Sequence, residues 1–177
     1  MSINLEQFAD FVEILFGPLM QVNGFSRLSR DVGQYSCTVT YINTPRYVKL
    51  TANIHPRDFP PYFNVVLGEG SVRFPESDWN AVALWHMQRL INRSDQGGEY
   101  NLSHVDDLRA ILARAKDDLE RFHGGFLAND LTLFRQARAK MNSNREAYKI
   151  YSPDGTGRFN VADDAASVEL KKRFSKE

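Results

Sequence analysis

Cysteine is all but missing from this chain. Cys37 stands alone among 177 residues, so no internal disulfide can form and the fold must rest on packing. A reducing compartment agrees with that usage. Net charge is missing too. Twenty-two Lys and Arg balance 22 Asp and Glu, which removes the basic field that general nucleic-acid binding requires. No apolar run approaches the roughly 20 residues of a membrane helix. The N-terminal stretch has no basic n-region, and Glu6, Asp10 and Glu13 interrupt its apolar pattern. It does not read as a signal peptide, and the chain is expected to be soluble and cytoplasmic. Gly-x-Ser-x-Gly, His-Glu-x-x-His, the Walker loop and the dinucleotide fingerprint are all absent, which disfavours the common hydrolase, zinc-protease and nucleotide-binding classes. No cofactor or metal is expected.

What is present is ordinary globular material. The apolar fraction is 42% and the charged fraction 25%, enough for a core in a domain of this size. Charge is uneven along the chain. Residues 131–177 carry ten Lys/Arg against six Asp/Glu, and residues 71–130 carry seven against ten. A solvated helix face plus a tail accounts for the basic segment; steering of a partner is the sharper alternative.

Residues 4–16 predict an amphipathic helix. Leu5, Phe8, Phe11, Val12, Leu15 and Phe16 recur at helical spacing, with Asn4 as N-cap. Pro18 lacks an N–H and is expected to end or kink the helix, leaving a short piece to Val22 before Asn23-Gly24.

The clearest pattern follows. From Gln34 to Ile42, Tyr35, Cys37, Val39 and Tyr41 alternate with Ser36, Thr38 and Thr40. From Tyr47 to His55, Val48, Leu50, Ala52 and Ile54 alternate with Lys49, Thr51, Asn53 and His55. Asn43-Thr44-Pro45-Arg46 supplies the turn. A hairpin pairing Ile42 with Tyr47 sets Val39 opposite Leu50 and Thr38 opposite Thr51. Apolar meets apolar and polar meets polar throughout. A stiff connection, Pro56 to Pro61, leads to a third strand, Tyr62 to Leu67. Pairing His55 with Tyr62 sets Ala52 beside Val65 and Leu50 beside Leu67. Gly68-Glu69-Gly70-Ser71 then reads as a turn into a fourth strand, Val72 to Phe74.

The second half reads as helical. A helix is expected from about Trp79 to Ile91, capped by Ser77 or Asp78, and then a loop around Gly97-Gly98. Ser103-x-x-Asp106 resembles a capping box. The stripe Val105, Leu108, Leu112, Ala115 and Leu119 predicts a long helix to about Phe122, stopped by Gly124-Gly125. Asn129 or Asp130 caps another helix to about Met141. After Asn142 only the Asp154-Gly155 turn and a terminal helix, Ala165 to Phe174, stand out. The expected layout is one α+β domain over 1–142 and a C-terminal extension over 143–177, partly helical or mobile. Its fold class is an antiparallel four-stranded β-meander, with an N-terminal helix and C-terminal helices packed on the apolar face.

Candidate chemistry is sparse. Glu120-x-x-His123 has the spacing of half a di-iron carboxylate site, but no second copy exists; His123 is more simply a cap at a helix C-terminus. His55 with Arg57 and Asp58 could form a polar site, though solvated pairing is the plainer account. His86 reads as half-buried packing and His104 as solvated. Cys37 falls on the apolar face, where a thiol is packed and inert. Arg135 and Arg138, one turn apart, suit an acidic partner or a solvated face. The polar sheet face is the one constellation marked as functional: Thr38, Thr40, Lys49, Thr51, Asn53, His55, Tyr62 and Asn64, together with Ser36. Hydrogen-bonding groups on a rigid sheet could hold a partner; solvent is the ordinary alternative.

The order of a helix, "NGF", "YSCTVTY", "YVKLTANI" and "LERFHGGFLANDLTLFRQAR" resembles a loose set of small bacterial α+β proteins of unknown function, some of them immunity proteins of toxin systems. The likeness spans residues 5–141 and carries no functional residue over. It implies a non-catalytic, cytoplasmic binding protein, toxin-neutralising or regulatory, whose partner is another protein and not a nucleic acid or a membrane. The rival is a small metal-independent enzyme or ligand-binding domain with a cleft between sheet and helices. A deep pocket with converging acid–base groups would favour the rival; a flat or acidic exposed surface would favour the binding protein.

Overall fold

The computed structural model describes residues 3–57, 60–92, 100–102 and 108–176. The chain is α+β. Helix α1 (Leu5–Val22) is followed by strands β1 (Ser26–Val32), β2 (Ser36–Asn43), β3 (Arg46–Asn53) and β4 (Tyr62–Glu69). Then come α2 (Glu76–Trp79), β5 (Ala81–Ala83), α3 (Leu84–Asn92), β6 (Tyr100–Asn101), α4 (Leu108–Leu127) and α5 (Thr132–Ser143). A separate hairpin, β7 (Lys149–Pro153) and β8 (Phe159–Asp163), precedes α6 (Ala165–Phe174). The main sheet runs β1-β2-β3-β4-β5, and β6 also pairs with β4. Every pairing is antiparallel.

The β2–β3 hairpin has the expected register, Val39 opposite Leu50 and Thr38 opposite Thr51. It is tighter than expected, because Asn43 and Arg46 themselves pair. The third strand is shifted by two. Leu50 meets Val65 and Ala52 meets Phe63, not Leu67 and Val65. The cause is local: the Asn53 side chain accepts from the His55 N–H at 3.0 Å and His55 Nδ1 from the Arg57 N–H at 3.2 Å. These Asx-type bonds end the strand at Asn53. A shift of two preserves which face each side chain occupies.

Three rows therefore build the core: Cys37–Ala52–Phe63, Val39–Leu50–Val65 and Tyr41–Val48–Leu67. All nine residues are buried. Helix α1 lies against β1, β2 and β3 and touches α4, burying Phe8, Val12, Phe16 and Met20. Asn4 caps α1 as expected, its Oδ1 accepting from Glu6 and Gln7. The helix continues through Pro18 to Val22 and stops at Asn23, where Gly24 turns with φ 77°.

Three expectations fail. The fourth meander strand is β1, before the hairpin, rather than Val72 to Phe74. Gly68 and Glu69 belong to β4 and do not turn. The helix expected from Trp79 to Ile91 is broken: Ala81–Ala83 leaves it to pair with β4, setting Val82 beside Leu67. Unpaired β4 backbone outcompetes helical periodicity there.

Helix α4 runs past Gly124-Gly125 to Leu127, with non-helical backbone at His123 (φ −135°, ψ 20°). Leu112, Ala115 and Leu119 are buried as the stripe predicts. Asp130 Oδ1 accepts from the Thr132 N–H at the start of α5. Helix α6 has the expected span. It packs on α2 and α5, and Asn142 Nδ2 donates to the Phe174 carbonyl. The loop at Gly97-Gly98, the Ser103/Asp106 box, His104, Val105 and Asp58 lie outside the described residues.

Candidate functional site

The second face of the sheet holds four rows: Ser36–Asn53–Tyr62, Thr38–Thr51–Asn64, Thr40–Lys49–Val66 and Ile42–Tyr47–Gly68. Seven of the eight marked residues therefore share one surface. His55 lies past the end of β3, its ring edge-on to Tyr35 at 4.9 Å.

The face is not open to solvent in the manner expected. None of the eight residues is exposed, and Thr40 is buried. Thr38 and Thr51 share a hydroxyl–hydroxyl hydrogen bond at 3.3 Å. One end is closed by a second, smaller packed cluster. Tyr47 is fully buried and lies across Gly68, where an added Cβ would stand 2.0 Å from the tyrosine Cζ. This close approach, not a turn, is why position 68 is glycine. Tyr47 donates to Asn80 Oδ1 at 2.7 Å, and Asn80 Nδ2 donates to the Ser71 carbonyl at 2.6 Å. Burial raises the Tyr47 phenol well above its usual range.

Lys49 stands beside that wall, its ammonium 6.0 Å from the Tyr47 ring centroid. Burial lowers its pKa, with the Asp78 carboxylate acting in the opposite sense. No ion pair or hydrogen bond holds the ammonium among the described residues. Asn64, diagonal to Lys49, has a buried Oδ1 without a hydrogen-bond partner. Among the described residues the face thus presents a half-buried cation that no ion pair or hydrogen bond holds and an amide acceptor without a hydrogen-bond partner. Asp78 is itself held from the far side. Tyr148 donates to its Oδ2 at 2.5 Å, and Arg145 donates to the Tyr148 hydroxyl at 2.9 Å while lying 4.5 Å over the Trp79 ring.

The other candidates have structural roles. Cys37 is buried, its thiol pushed up to about 11 by burial. Arg135 and Arg138 clasp Glu69. Burial would raise that carboxyl; the two guanidiniums hold it below its ordinary value. Glu120 pairs with Lys116. His123 is buried at the α4 kink instead of capping a helix end, and burial pushes its pKa down to about 4. Among the described residues no group of three His, Cys, Asp or Glu could hold a metal. His86 is half-buried, stacked on Trp85 at 5.1 Å.

Aromatic rings pack between the sheet and the helices, and a groove lined by Glu13, Gly17 and Gln21 of α1 and by Arg27 and Tyr41 of the sheet stays open. Phe8 meets Phe63 edge-on at 5.6 Å, and Phe63 stacks on Tyr100 at 4.7 Å. Sequence reasoning found the polar rows but missed Tyr47, Asp78 and Asn80, which wall them. Tyr47 alternates in phase with Lys49 and Thr51, so its placement was readable; Asp78 was expected as a helix cap and Asn80 within the helix it opens.

No family model, curated protein or solved structure matches the chain. No helix among the described residues is long and apolar enough to cross a membrane.

Proposed function

We propose that the chain is a non-catalytic binding protein of the bacterial cytoplasm, a toxin-neutralising or regulatory partner, and that its polar sheet face receives an acidic segment of another protein. One observation carries this reading: among the described residues no hydrogen bond or ion pair holds the half-buried Lys49 ammonium, and the buried Asn64 Oδ1 has no hydrogen-bond partner. Unpaired polar groups at such depth are costly in the free fold. An incoming carboxylate beside a backbone or side-chain N–H would satisfy both. Rigid strands hold the groups without further ordering, which favours affinity.

The test is affinity capture from the native cell with wild type and with a Lys49→Glu/Asn53→Asp variant. Aspartate keeps the acceptor that caps the His55 N–H. The reading expects one stoichiometric protein held by wild type and lost from the variant, with melting temperatures matched. Equal retention by both would remove the sheet face as the site.

A further inference from the structure

The β7–β8 hairpin is unlike the rest of the molecule. All ten of its strand residues are exposed. Among them are Ile150 at 51%, Tyr151 at 64%, Phe159 at 65% and Val161 at 54% of full exposure. It forms a sheet of its own with two outer edges. A lone two-stranded hairpin is marginal in water, and an open edge with apolar side chains is a template for another strand. The base is firmly held. The Asp164 N–H donates to the Tyr148 carbonyl, and the Asp154 N–H donates to the Arg158 carbonyl across the turn.

We propose that β8 pairs antiparallel with β8 of a second copy of this chain, joining two hairpins into one four-stranded sheet about a two-fold axis through Val161. Three observations select this occupant. The first is backbone geometry. The bonded pairs Tyr148/Asp164 and Asp154/Arg158, with the register between them, fix the alternation. Phe159, Val161 and Asp163 then point N–H and C=O outward, and no partner meets them among the described residues. The β7 edge is blunted, because Pro153 has no N–H. A β8–β8 join uses every outward donor.

The second is the side-chain pattern. Tyr151 sits opposite Val161 within the hairpin. Centring the join on Val161 produces an unbroken row Tyr151–Val161–Val161–Tyr151 across both copies. The third is charge. In that register Arg158 of each copy falls opposite Asp164 of the other, and Asp163, already paired with Lys149 at 2.5 Å, falls opposite Phe159. No like charges oppose. A slide of two residues, the smallest that keeps the same backbone groups facing outward, would set Arg158 opposite Ala162 or Ala166 and lose the match with Asp164. The contact is isologous and closes on itself.

Sedimentation equilibrium of the whole chain, from low micromolar to hundreds of micromolar, reads the association directly. Wild type is expected to dimerise. Val161→Pro removes an outward donor that the hairpin does not use and should sediment as a monomer with an unchanged melting temperature. Arg158→Glu should weaken the dimer, more so at low salt. A covalent readout does not depend on tolerance of proline. Cys37 is buried, so Val161→Cys supplies one reactive thiol directly opposite its symmetry mate. Mild oxidation should link Val161→Cys chains, whereas Ile150→Cys, on the far strand, should stay unlinked. A monomeric wild type at all concentrations, or equal cross-linking at 150 and 161, would overturn the proposal.

Discussion

Acid should destabilise this fold through one buried imidazole. His123 interrupts α4, and its side chain is 4% exposed with Nε2 lacking a hydrogen-bond partner. Burial pushes its pKa down to about 4, and the Asp118 carboxylate opposes this only in part. The folded chain therefore keeps the ring neutral. The unfolded chain protonates it near the ordinary 6.5. Above about pH 7 both states are neutral and His123 contributes nothing to the pH dependence. As pH falls from about 6.5 toward 4 the unfolded state gains a proton that the folded state refuses, so stability falls and then levels off. The gap between about 6.5 and about 4 corresponds to roughly 3 kcal/mol. Urea titrations of wild type and His123→Leu across this range isolate the effect, because the two proteins differ at this one side chain. The variant should match wild type within about 1 kcal/mol at neutral pH and lack the acid loss. Parallel stability curves for the two proteins would refute the reasoning.

Leu50, fully buried between Val39 and Val65, should cost about 2–5 kcal/mol as Leu50→Ala. Thr51→Ala on the polar face should cost under about 1 kcal/mol; equal losses in denaturant titrations would mean the two faces are packed alike. Gly68→Ala should lower the melting temperature sharply, because its Cβ would collide with the Tyr47 ring. A second change, Tyr47→Leu, should recover part of the loss; no recovery would place the strain elsewhere. Arg46 is buried and donates at 2.7 and 2.6 Å to the Phe126 and Leu127 carbonyls at the end of α4. Arg46→Met should cost about 2–4 kcal/mol by leaving them unsatisfied, read in urea titrations; a neutral result would mean that water replaces the guanidinium.

The sequence made some elements legible and hid others for physical reasons. The β2–β3 hairpin could be read residue by residue because both faces carry a pattern, and only one register matches them. The β3–β4 pairing had the right faces and the wrong slip. Alternation has a period of two, so it forbids a shift of one and is blind to a shift of two. The side-chain bonds of Asn53 and His55 decided it. Strand β1 carried no apolar alternation at all. Its Arg27 and Arg30 fall on the core side but reach past it to Glu6, Asp10 and Glu13 on α1. An edge strand tied down by ion pairs has no hydrophobic signature. The β7–β8 hairpin was hidden differently: Ile150 and Tyr151 fall on opposite faces, so neither face reads as a core face. At the site, the polar rows were visible in the spacing. Their partial burial was not, because Tyr47 and Asn80 meet only through long-range packing.

The claim that Lys49 receives a partner is tested most directly by lysine acylation footprinting, read by mass spectrometry on the free chain and on the chain in its captured complex. Burial lowers the Lys49 pKa, which keeps more of the amine in its reactive neutral form, so Lys49 should label in the free protein. In the complex it should be protected, while Lys171 and Lys172 on α6 label as before. Equal labelling of Lys49 in both states would contradict the account.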